Sequence, residues 1–63
     1  MNQQELNYFY NSLYNDANEK QKEVLDVITS INGLEQGIID YYGYYYSNNY
    51  DLTIEEVMKD FYN

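Results

Sequence analysis

Four carboxylates, Asp16, Glu19, Glu23 and Asp26, are spaced three, four and three residues apart. On a continuous helix turning about 100° per residue they fall within about 80° of one another. Neighbours in such a row stand about 5–6 Å apart, close to the separation of successive phosphates on a nucleic-acid strand. The chemistry open to the row is attraction of a basic surface; the alternative is an ordinary solvated helix face, softened by Lys20 and Lys22. A second constellation is Asp40-Tyr41-Tyr42-Gly43-Tyr44-Tyr45-Tyr46, continuing through Ser47-Asn48-Asn49 to Tyr50. A helix buries one side only, so five tyrosines in six positions must expose several rings. Tyrosine offers large, rigid, amphipathic contact area at low entropic cost, which makes the run a candidate interface. The candidate partner-binding residues are therefore Asp16, Glu19, Glu23, Asp26, Asp40, Tyr41, Tyr44, Tyr45, Tyr46 and Tyr50.

Other chemistry is poorly provided for. The 63 residues include no histidine and no cysteine, which removes the usual proton carrier near neutral pH, the thiolate nucleophile and the best zinc ligands. Serines, threonines, lysines and tyrosines have no evident base beside them. Glu55 and Glu56 are adjacent and diverge by about 100° on a helix. Asn48-Asn49-Tyr50-Asp51 lacks the glycine and the closing glutamate of a calcium loop. The expectation is a chain that is not an enzyme, with no cofactor and no metal. Eleven acids against three lysines and no arginine give a net charge of −8, which repels nucleic acid and anionic membranes alike. A basic protein surface is the expected partner. Asn occurs nine times and Tyr ten, as AT-rich codons would produce, yet lysine, whose codons are also AT-rich, is scarce. Positive charge has been kept off this surface for a physical reason, solubility or a partner.

These residues need elements to hold them. Residues 2–15 carry Leu6, Phe9, Tyr10 and Leu13 at helical spacing, with Asn2 as cap and Glu5 in a capping-box position. Asn15-Asp16-Ala17-Asn18 predicts a break. A second helix from about residue 17 carries Val24, Val27, Ile28 and Ile31 as its apolar face, with Leu25 on the flank, and ends at Asn32-Gly33. Continuing it would place Glu35 on the buried side, at the cost of desolvating a carboxylate, so a third helix is expected over Leu34–Tyr46. Tyrosine also favours strands, and the alternative there is a hairpin around 44–54. Thr53 and Glu56 form a capping box for a last helix over Ile54–Tyr62, with Ile54, Val57, Met58 and Phe61 inward. The predicted core is Leu6, Phe9, Leu13, Val24, Ile28, Ile31, Ile38, Val57 and Phe61. The fold class is an all-α bundle of three to four helices, residues 1–63 forming a single helical domain. The N-terminus has no export signal, and the expected location is the cytoplasm.

A tiny, strongly acidic, cysteine-free helical chain with a tyrosine-rich patch resembles the small inhibitors that bacteriophages and mobile elements encode against host nucleases: nucleic-acid mimics, anti-restriction proteins and anti-CRISPR proteins. The resemblance is one of composition over the whole chain. It implies a phage-type protein acting in a bacterial host cytoplasm as a stoichiometric blocker of the basic groove of a nucleic-acid enzyme, a CRISPR effector nuclease being the preferred example. It carries over no binding residue. The other expectation is a structural or regulatory homodimer whose tyrosine patch completes its own core.

Overall fold

The computed structural model describes residues 2–63, and among these there are four α-helices and no strand. Helix α1 spans Gln3–Asp16, α2 Glu19–Asn32, α3 Leu34–Tyr42 and α4 Ile54–Tyr62. A single π-type turn over Gly43–Ser47 prolongs α3, so the hairpin alternative around 44–54 does not form.

The helix starts follow from their caps. The Asn2 side chain accepts the Glu5 amide at 2.8 Å. Asn18 and Gln21 exchange reciprocal side-chain to backbone bonds at 2.9 Å, and Thr53 and Glu56 do the same at 3.2 and 2.9 Å. Each pair satisfies amide groups that a helix N-terminus leaves without partners. The Asn18 box also places the α1–α2 break at Ala17 and Asn18. Gly33 ends α2 at φ 91°, a conformation natural to glycine alone, and α3 then returns along α2.

The pairing of α2 with α3 is the most extensive in the molecule, and its closeness decides which side of α2 faces inward. A Cβ placed on Gly37 would stand 2.5 Å from the Thr29 Cα. Only glycine against a small residue permits that approach, and it turns the line Gln21, Leu25, Thr29 toward α3. Leu25 is consequently fully buried. The expected inward face of α2 is thereby corrected. Val24 and Ile28 are half-buried, while Val27 is 52% and Ile31 76% exposed. Ile31 therefore does not belong to the core, and Val24 and Ile28 lie at its margin.

The core comprises Leu6, Phe9 and Leu13 of α1, Leu25, then Ile38, Ile39, Tyr41 and Tyr42 of α3, and Ile54 and Val57 of α4. Phe61 packs against it half-buried, edge-on to Phe9 at 5.5 Å between ring centroids. Glu35 is exposed in the first turn of α3, where the break at Gly33 leaves it in water. After the π turn, Asn48 adopts a left-handed conformation at φ 56°. The chain then folds back so that the Tyr50 ring lies on Gly43, where a Cβ would stand 2.7 Å from it.

Candidate interaction surfaces

The four carboxylates of the acidic row do not share a helix. Asp16 is the last residue of α1, separated from α2 by the capped break expected at residues 15–18, so the four do not form one continuous stripe. Glu19, Glu23 and Asp26 do share the outward face of α2, all exposed and on the side opposite Leu25. Glu19 forms a surface ion pair with Lys22 at 3.7 Å, its own side chain 97% exposed. A pair so open to water contributes about 0–1 kcal/mol. Val27, 52% exposed, lies beside this row, about 40° from Glu23 at 100° per residue, so the face presents carboxylates and an apolar group together, while Ile31 lies further round toward Val24 and Ile28.

Asp16 and Asp26 have a second role. The Tyr46 hydroxyl donates to Asp16 at 2.7 Å, and the Tyr10 hydroxyl donates to Asp26. A third bond of the same kind runs from Tyr42 to Asp60. These Tyr–Asp clasps tie the π turn to α1, α1 to α2, and α3 to α4. Each pairs a phenol that is a better donor neutral with a carboxylate that accepts better charged, so tyrosine takes the part that lysine plays in an ordinary surface pair. Burial, then the bonded and charged aspartate, pushes Tyr10 and Tyr42 up to about 12 from the usual 10.0. The same two causes, with Asp16 as the aspartate, raise Tyr46 further. Asp40 is held differently, accepting from Asn32 at 3.1 Å and Gln36 at 3.0 Å, and so marks the place where α3 passes the C-terminal end of α2.

The tyrosine run divides into inner and outer rings. Tyr41 is fully buried, which removes it from direct partner contact and corrects its place among the partner-binding candidates. Its hydroxyl has no hydrogen-bond partner among the described residues, and burial, then Tyr45 and Asp16, raises its pKa. Tyr46 is half-buried, stacked on Phe61 at 5.9 Å and 9° and edge-on to Tyr42 at 4.7 Å. It thus packs the core margin and keeps part of its ring at the surface. Tyr45 is half-buried against Tyr41, centroids 5.0 Å apart. Tyr44 and Tyr50 are the outer rings, 68% and 51% exposed.

Those outer rings border a groove of about 490 Å³ between α2 and the tyrosine run. Val24 and Ile28 form one wall and Tyr44 and Tyr45 the other, over the buried Tyr41, with Tyr50 alongside. Lys20 and Asp40 also line it. A second cleft of about 340 Å³ lies between α1 and α4, bordered by Tyr8, Met58 and Tyr62. Among the described residues no group of three or more acidic side chains is gathered as a metal site, and no helix is long and apolar enough to cross a membrane.

Sequence reasoning found the acidic and aromatic constituents but missed the clasps. Their partners lie 16, 18 and 30 residues apart, beyond any helical period. The available signal was compositional: eleven acids with three lysines need donors from elsewhere, and ten tyrosines supply them. No protein-family model, curated protein or solved structure matches this chain.

Proposed function

We propose that this chain is a stoichiometric inhibitor that occupies the basic nucleic-acid groove of a host enzyme, with a CRISPR effector nuclease the first class to test, in the bacterial cytoplasm where such enzymes work. The observation that carries the reading is the outward face of α2. Glu19, Glu23 and Asp26 stand exposed there at helical spacing, with Val27 exposed beside them. A solvated face has no need of an exposed β-branched side chain beside its acids. A docking face uses both kinds of group.

The mechanism follows from their physics. Carboxylates facing lysines and arginines steer association and orient the encounter. Apolar side chains that lose water on docking slow dissociation, where most affinity differences reside. Asp26 is also fixed by the Tyr10 hydroxyl, so less side-chain freedom is lost when it meets a cation. The net charge of −8 supports the same reading, since it repels acidic competitors and attracts a basic groove from a distance. Nothing in this mechanism moves a proton or breaks a bond.

The test is cleavage of labelled DNA by a panel of guide-loaded CRISPR effector nucleases, titrated with the protein. Inhibition should saturate at stoichiometric amounts, compete with nucleic acid and weaken as salt rises. Complete turnover of the effector by substoichiometric protein, or unaffected cleavage across the panel, would refute the proposal.

A further inference from the structure

Helix α2 carries two apolar lines where a small bundle uses one. Leu25 serves the core, whereas Val24, Ile28 and Ile31 form a second line that the chain itself covers only in part. Val24 and Ile28 of that line form a wall of the tyrosine groove. We infer that a second copy of this chain closes the groove, the two α2 helices packing antiparallel about a two-fold axis with Lys20 of each copy against Asp40 of the other.

Charge placement selects this occupant. Lys20 lies one residue inside the start of α2, and Asp40 is bonded to Asn32 at its end. Twelve residues of helix separate those places, about 18 Å at 1.5 Å per residue. The groove thus bears one cation at one end and one anion at the other. In a two-fold interface every contact occurs twice with the roles exchanged, and such a pattern is complementary to its own reversed copy. Setting position 20 beside position 32 of the other copy also sets Val24 beside Ile28, twice over. A basic peptide finds no net attraction in a groove whose own charges cancel. The acidic row points elsewhere on α2, about 140° from the groove wall at 100° per residue, so a dimer leaves it free.

The inference is independent of the inhibitor reading, and salt separates the two. Copies of net charge −8 repel at long range, and salt screens that repulsion while the groove contact is mainly apolar. Dimerisation should therefore strengthen with salt, whereas docking on a basic groove should weaken.

The experiment is sedimentation equilibrium of the full chain over a wide concentration range, at low and high salt. The expected mass rises with concentration from 7.6 kDa toward twice that value, and rises earlier in high salt. Tyr44→Asp and Lys20→Glu, both at exposed positions, should each weaken dimerisation at least tenfold with an unchanged circular dichroism spectrum. Lys20→Glu combined with Asp40→Lys should recover most of the loss. A monomer at every concentration and salt, or a dimer indifferent to Tyr44→Asp, would overturn the inference. Failure of the double reversal to recover would overturn the antiparallel register.

Discussion

The Tyr–Asp clasps use the neutral phenol as donor, and their contribution should fade when the phenol ionises. Tyr10 and Tyr42 hold their protons to about pH 12 in the folded chain, against 10.0 for a free side chain. Below pH 10 both states keep the proton and the stabilisation is complete. Between 10 and 12 the unfolded chain releases protons that the folded chain retains, so stability falls as pH rises through that window. Denaturant melts at stepped alkaline pH should show this decline. Tyr10→Phe should lessen its slope, and an unchanged slope would refute the clasp. At neutral pH, Tyr46→Phe keeps the ring against Phe61 and removes only the bond to Asp16. A hydrogen bond to a charged acceptor contributes about 1.5–3 kcal/mol when sheltered, and this one is open to water, so a loss of about 1 kcal/mol is expected. Tyr41→Phe should act in the opposite direction. Its buried hydroxyl has no partner among the described residues, and removing an unsatisfied buried group at constant ring shape should stabilise the fold by about 1 kcal/mol. A destabilised Tyr41→Phe variant would show that the hydroxyl is in fact bonded.

Between elements, the contact of Gly37 with Thr29 decides the rotation of α2. Helix propensity alone favours Gly37→Ala by about 1 kcal/mol. The new Cβ, however, would meet the Thr29 backbone at 2.5 Å, and overpacking of this kind costs about 1–3 kcal/mol. The clash should win, lowering the unfolding midpoint. Thr53→Ala, which opens the α4 capping box, should cost about 1 kcal/mol. These two sites also mark how far the sequence is legible. The α4 boundaries, the break at Gly33 and the α1 core line follow from caps and periodicity, signals that act within a few residues. The inward face of α2 does not, because Val24, Val27, Ile28 and Ile31 make the stronger apolar period while a glycine eight residues beyond Thr29 sets the contact. The division of the tyrosines was hidden for a similar reason: Tyr46 is drawn in by Phe61, Tyr42 and Asp16, and Tyr41 packs against Tyr45 and Tyr46, contacts set by tertiary packing. Glu19, Glu23 and Asp26 were legible as a row because their spacing is local, and Asp16 was lost from it at a cap.

At the scale of the whole molecule, eleven carboxylates are held with three lysines, and three are clasped by tyrosines. Internal hydroxyl donors let the chain keep a net charge of −8 without needing lysines to anchor its acids. That charge is the property through which the proposed inhibitor would find a basic groove. Glu19 and Glu23 are the right residues on which to test it, because neither holds a tyrosine hydroxyl, whereas reversing Asp26 would also break the Tyr10 clasp. The decisive measurement is the association rate with a guide-loaded effector nuclease that the protein blocks, for the wild-type chain and for Glu19→Lys/Glu23→Lys, from low to high salt. The double reversal should slow association more than tenfold at low salt, because two attractions become two repulsions near a basic groove, and the difference should narrow as salt screens it. Equal association rates at low salt, with both chains folded, would contradict this and leave the α2 carboxylates as a solvated face.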